Sequence, residues 1–391
     1  MTDTCTYTYY VEGLAPLVFR SGKPFGAQAG ADGATFPLPS SLAGLLRTLH
    51  ADQSHTGFGP ALKALAVAGP LLAWREGEKL TPLLPKPADV VYLKDDQDKV
   101  QLMRLSPKAL PAGCGSDLPA GLLPVVMEEV REGKPAPGPQ YWPLDALLAW
   151  NAGTQATITE FATLKAQGLE SLQAEIRTHV SIAADTQAAA DGQLFQTGGI
   201  DMASRRLSGG KDTDAGTPGS GWHSRDLVFL ARSDISLHET LATFGGERRL
   251  SRVHRAKGAW PRPDAGLERA VRKAGGFALM LVTPALFTEG YRPTWLNEAL
   301  EGEVPACPGL RVRLRAAAVE RWLPVSGWDL AEHKARATRK AVAAGAIYWF
   351  ELLEAPDGFI QRLWLAPVSD KAQDRLDGFG LVLPRPWTPP A

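Results

Sequence analysis

Two glycines followed at once by a run of cations are the residues of this sequence best suited to chemistry. The stretch reads Phe244-Gly245-Gly246-Glu247-Arg248-Arg249-Leu250-Ser251-Arg252-Val253-His254-Arg255-Ala256-Lys257. Glycine has no Cβ, so the backbone at Gly245 and Gly246 can approach another polymer closely. Arginine offers a planar fork of donors matched to phosphate oxygens, and Arg248, Arg249 and Arg252 stand just beyond. From residue 244 to 273 there are nine cations against three acids, while the whole chain of 391 residues carries 42 of each sign. The excess is therefore local. It fits a groove for a polyanion, RNA above all, or else a solvated basic loop.

Other chemistry is thinner. His179 lies in the alternation Arg177-Thr178-His179-Val180-Ser181-Ile182, where an imidazole can move a proton, stack on a base or simply be satisfied within a strand. His238-Glu239-Thr240-Leu241-Ala242 begins like a zinc-protease motif but has Ala242 where the second histidine must stand. A phosphate loop ending at Gly210-Lys211 would need glycine at 205, which is Arg205. Cys5, Cys114 and Cys307 form no CxxC pair, so neither a metal nor a disulfide framework is expected, and no cofactor.

The elements that must position these groups follow from periodicity. Thr6–Val11 alternates threonine and aromatic residues as an opening strand that runs on to Phe19. A turn follows with Arg20, Lys23 and Phe25, two cations and an aromatic. Next, Ser40 or Ser41 is read as the N-cap of a helix whose Leu42, Leu45, Leu46 and Leu49 make one apolar stripe. Its N-terminus, with Arg47 nearby, is a ready phosphate seat. Residues 81–142 read as loops and edge strands, 162–176 as a helix, and 226–230 and 234–237 as strands. A hairpin turning near Ala188–Gly192 joins Arg177–Ile182 to Leu194-Phe195. Residues 201–224 read as a mobile insertion. A second domain opens at Gly276 with strands 277–282 and 310–315. A basic segment with Lys334, Arg336, Arg339 and Lys340 then leads to a strand at 346–352, and Gly378-Phe379-Gly380 lies near the close.

At 45% hydrophobic the chain can build sizeable cores, and its length suggests more than one domain. A polar start without an apolar h-region and the lack of any long apolar run predict no signal peptide, no membrane contact and a cytoplasmic protein.

Taken in order, these motifs resemble the CRISPR RAMP superfamily, and within it the third-subunit family of the type III-B (Cmr) effector complex. The likeness rests on Phe19-Arg20 with Lys23-Pro24-Phe25, Pro39-Ser40-Ser41…Gly44…Leu46-Arg47, Arg177–Ile182 running to Gly192–Phe195, Gly245–Arg249, Lys334–Phe350 and Gly378-Phe379-Gly380. It spans nearly the whole chain. It implies an α+β fold of two tandem ferredoxin-like (RRM-like) domains with long insertions, divided at 1–240 and 241–391. It implies a non-catalytic RNA-binding subunit that holds the 5′ handle of the guide crRNA. That subunit would bridge the large palm-domain subunit to the backbone RAMP subunit and meet target RNA only indirectly. The implied RNA-binding residues are Arg20, Lys23, Phe25, Ser40, Ser41, Arg47, Thr178, His179, Gly245, Gly246, Arg248, Arg249, Arg252, Arg336, Arg339, Lys340, Gly378 and Gly380. The alternatives are a RAMP endoribonuclease that cleaves repeat RNA, with His50 or His179 as acid or base, and the equivalent subunit of a type III-A or type I effector.

Overall fold

Alternation of side chains along paired strands sets the layers of this molecule. The computed structural model describes residues 6–19, 35–152, 160–202, 205–208, 222–329 and 334–390. Its first strands are β1 (Tyr7–Gly13), β2 (Val67–Glu76), β3 (Lys79–Pro85), β4 (Val90–Lys94), β5 (Val100–Pro107), β6 (Val125–Met127), β7 (Lys134–Pro135) and β8 (Tyr141–Pro143). There follow β9 (Ala174–Ile182), β10 (Ala189–Ile200), β11 (Arg205–Ser208), β12 (Trp222–Ser233), β13 (Thr240–Thr243) and β14 (Leu250–Ala256). The later strands are β15 (Gly276–Leu281), β16 (Glu301–Glu303), β17 (Arg311–Ala318), β18 (Leu323–Asp329), β19 (Lys334–Ala341), β20 (Ile347–Glu354) and β21 (Val382–Pro386). The helices are α1 (Pro39–Gln53), α2 (Leu144–Ala152), α3 (Phe161–Gln167), α4 (Leu267–Ala274), α5 (Phe359–Leu363) and α6 (Ala372–Leu376).

Two antiparallel sheets form the body. One runs β13-β14-β1-β12-β2-β3-β8, with β11 paired to β12; the other runs β16-β17-β20-β15-β21. A smaller sheet, β6-β5-β4-β7, and two ribbons, β9–β10 and β18–β19, complete the fold. The architecture is mixed α and β, with mostly antiparallel sheets and few helices.

Period-two alternation gives each main sheet two buried faces. In the first, Leu72, Trp74 and Phe229 join Leu42, Leu45, Leu46 and Leu49 of α1 in one core. Their neighbours Leu71, Ala73, Val228 and Leu230 face the other way. They share a second core with Ala278, Met280, Ile347 and Trp349 of the second sheet. The far face of that sheet, including Phe277, Leu279, Tyr348 and Phe350, packs with Val271 of α4 and Phe359, Ile360 and Leu363 of α5. The order of layers is thus α1, first sheet, second sheet, α4 with α5. Arg385 of β21, hydrogen-bonded to fully buried Asp89, ties the start of β4 to the second sheet.

Several expectations change in the fold. The N-cap of α1 is Leu38, which makes no side-chain cap bond, and Pro39 opens the helix. Proline's fixed φ starts the helix one residue early, so Ser40 and Ser41 lie inside its first turn. The expected helix at 162–176 stops at Gln167. Gly168 and Leu169 turn to pair with Tyr141, and a Cβ at Gly168 would stand 2.7 Å from Tyr141 O. Residues 234–237 form no strand: Tyr9 Oη donates to Ile235 O (2.7 Å) and accepts from Leu237 N–H (2.9 Å), replacing a strand partner. Residues 81–142 hold more strand than expected, since they supply β4 to β7. The insertion at 201–224 falls largely outside the described residues; its described part pairs β11 with β12. A division at 240–241 would cut β13, and the passage into the second sheet comes after Ala256.

Candidate nucleic-acid interface

The glycine–arginine stretch is the hairpin turn between β13 and β14. Phe244 N–H donates to Arg249 O, and Arg249 N–H to Gly246 O at 3.4 Å. The two residues between, Glu247 (φ 57°) and Arg248 (φ 48°), both sit in the left-handed region, the signature of a type I′ turn. Asparagine and glycine usually fill those places, so the turn holds Arg248 outward at a conformational cost. Arg248 is exposed, and so is Arg252 on β14. Arg249 is half-buried, and its Nε has no hydrogen-bond partner among the described residues.

The glycines themselves serve another purpose than the expected approach to a foreign polymer. Gly246 N–H donates to Val18 O (2.7 Å), and a Cβ on Gly245 (φ +83°) would lie 2.5 Å from the same oxygen. Their close approach is thus to the protein's own strand end. Leu17, one residue earlier, pairs with Ile200 at the end of β10. The segment 17–19 is therefore flanked by the root of the β9–β10 ribbon on one side and the arginine turn on the other. It leads directly towards Arg20, Lys23 and Phe25, which lie outside the described residues.

On the β9–β10 ribbon, Thr178 is exposed and its Oγ1 accepts from Gln196 Nε2 (3.3 Å). The His179 ring stacks on Phe195 with centroids 5.1 Å apart, and its Nε2 lies 2.9 Å from Thr197 Oγ1.

A second group of expected RNA contacts converges on two carboxylates instead. Arg47 is 9% exposed. Its Nη1 meets Asp377 Oδ1 at 2.6 Å, while Nε and Nη2 donate to Leu65 O and Nη2 also to Leu376 O. Arg339 meets Asp374 through both nitrogens, at 2.7 and 2.8 Å, and Arg336 lies 3.7 Å from Asp377 Oδ2. Asp374 and Asp377 are both buried. This corrects the placement of Arg47 on an open, RNA-facing side of α1: a buried ion pair satisfies it. The glycine loop that follows is likewise interior. Gly378 (φ +90°) leaves room for Val67 O and Gly69 O, and Gly380 (φ +81°) for Ser369, so these two hold the loop against protein and are not open to RNA.

The register of β18–β19 explains how both arginines reach the carboxylates. Val325 faces Arg339 and Gly327 faces Arg336, so β19 carries one extra residue there, a β-bulge. The bulge brings Arg336 and Arg339 to one side of the ribbon. On that side Val325 and Ala341 pack with Leu286 and Phe379. Lys340 points to the other side, its Nζ 5.3 Å from the centroid of the Trp322 ring. Arg339 and Lys340 also line a cleft of about 280 Å³ with Thr288, Lys371 and Asp374.

Sequence reading missed Asp374, Asp377, Trp322 and Lys371. The signal was present for the two acids, three residues apart and just before Gly378. A carboxylate pair beside a buried glycine turn must find cations, and α1 and β19 supply them.

A family model for CRISPR-associated protein (Cas_Cmr3) matches residues 9–387. Among solved structures, a chain from the cryo-EM structure of the Type III-B Cmr-beta bound to cognate target RNA aligns with a TM-score of 0.44 at 12% identity, covering 88% of this chain and 86% of that one. A chain from the same assembly bound to cognate target RNA and AMPPnP, state 1, aligns with a TM-score of 0.44 at 13% identity, with the same coverage. No curated protein matches the sequence.

Proposed function

Since the chain belongs to the Cas_Cmr3 family of CRISPR-associated proteins, we propose that it is the subunit of a type III-B Cmr ribonucleoprotein that holds the 5′ handle of the guide RNA. In this reading it bridges the large palm-domain subunit to the backbone subunits and supplies no catalytic group. The two main sheets would be the cores of its two ferredoxin-like units. The observation that carries the reading is the family match over residues 9–387. The chemistry that supports it is the type I′ turn. Exposed Arg248, half-buried Arg249 and exposed Arg252 offer forked donors to phosphates at one edge of the first sheet. A single-stranded handle needs such donors along its backbone and planar groups for its bases. A neutral chain whose cations are concentrated locally suits a subunit covered elsewhere by protein.

The test is a salt titration of handle binding by the reconstituted complex. Replacing Arg248 and Arg249 with alanine should weaken binding and lower the slope of log affinity on log salt by roughly 0.7 for each phosphate that is no longer neutralised. An unchanged slope together with failed assembly would make the turn a protein-binding element, and the reading of the turn would have to be given up.

A further inference from the structure

We propose that the outward face of the β18–β19 ribbon, built on Trp322, Trp328 and Lys340, is a stacking surface for unpaired bases of the guide RNA. The inference rests on the RNA-binding reading above and goes further by naming the surface and its mode of contact. Along an extended strand, side chains alternate between faces. Leu323 and Val325 point inward, where Val325 is buried with Phe379 of the glycine loop. Trp322, Pro324 and Trp328 therefore share the outward face. Pairing places Lys340 opposite Pro324 and Ala335 opposite Trp328, on that same face.

Two tryptophans left 56% and 58% exposed on one face of a ribbon are costly unless something covers them. The chemistry around them selects the cover. Lys340 stands over Trp322 at 5.3 Å. From Arg321 to Ala341 the sequence holds five cations against two acids, Asp329 and Glu332. Lys340 also opens onto the cleft lined by Arg339 and Lys371, where Asp374 fixes the orientation of Arg339. Protein interfaces are depleted in lysine, whereas aromatic faces flanked by cations are how single-stranded RNA is held. Six residues of strand separate the two rings by about 20 Å. They therefore stack on bases well separated along the RNA strand, and Lys340 on the same face meets a phosphate.

The ribbon is held from its inner side, so the outward tryptophans can change without unfolding it. The test uses the full reconstituted complex loaded with guide RNA carrying photoreactive 4-thiouridine, with crosslinked peptides mapped by mass spectrometry. Crosslinks are expected on peptides that contain Trp322 or Trp328. A Trp322→Ala/Trp328→Ala variant should assemble normally and lose guide affinity by roughly tenfold or more. Phenylalanine at both positions keeps a π-face and should recover most of the loss. Crosslinks confined to other parts of this chain, with ribbon variants binding normally, would overturn the inference and leave the handle-binding reading intact. Failed assembly with unchanged RNA affinity would make the face a protein-binding surface and overturn it as well. No crosslink anywhere on this chain would remove both readings.

Discussion

Arg47 lies between Leu65, Leu376 and Asp377 with every part of its guanidinium engaged in hydrogen bonds. Removing it takes from Asp377, 2% exposed, its close cation, and leaves only Gln373 Nε2 and the more distant Arg336 beside the buried charge. Arg47→Ala should therefore cost about 3 to 5 kcal/mol. That is comparable to Leu46→Ala in the α1 core, at about 2 to 5 kcal/mol. Chemical denaturation of both variants checks the comparison, and adding Asp377→Asn to Arg47→Ala should restore part of the loss. The leucine stripe of α1 was legible because helical period alone decides it. The partner of Arg47 was not, because a carboxylate 330 residues away leaves no local trace. His179 is the complementary case. Its ring stacks on Phe195 and its Nε2 lies beside Thr197, so the imidazole has a structural place. On the non-catalytic reading, a complex with His179→Ala should still cut target RNA once guide is saturating. Abolished cleavage at full guide occupancy would refute that reading.

Among elements, the β13–β14 hairpin ties a conformational demand to the proposed binding role. Gly245 is the one residue type that permits both φ +83° and the approach to Val18 O. Gly245→Ala should destabilise by about 1 kcal/mol or more and speed amide exchange at Gly246, whose N–H bonds to that oxygen. Hydrogen exchange followed by mass spectrometry reads the effect at the turn. The sequence marked this pair as special but not what it approaches, since close approach is a tertiary fact. The β9–β10 hairpin was legible because two alternating runs flank Gly192. The bulge in β19 was not. Nothing in Arg336-Ala337-Thr338-Arg339 shows that one residue is extra until the partner strand is known.

At the scale of the whole molecule, the two main sheets pack their facing sides into one apolar core. Leu71, Ala73, Val228 and Leu230 share one core with Met280, Ile347 and Trp349. Neither sheet can be withdrawn without exposing a full apolar face of the other. Thermal unfolding should therefore be one transition, with far-ultraviolet circular dichroism and tryptophan fluorescence coinciding. A fragment ending at residue 275 should aggregate. Two separated transitions would show that the sheets fold independently. The sequence indicated strands of both sheets, 6–11 and 226–230 in the first and 277–282, 310–315 and 346–352 in the second, but not that each sheet buries the other.

The bond between Arg47 and Asp377 also bears on how the chain is made. Synthesis delivers α1 early, yet the carboxylate that satisfies its arginine emerges 330 residues later. At ribosomal rates that interval is on the order of tens of seconds. Throughout it the first helix carries a cation without its native counter-charge. β15, a central strand of the second sheet, likewise waits for β21, which is formed by residues 382–386. Completion of the fold is therefore gated by Asp377 and β21, and a nascent chain stalled or truncated before them would remain exposed to chaperones and proteases.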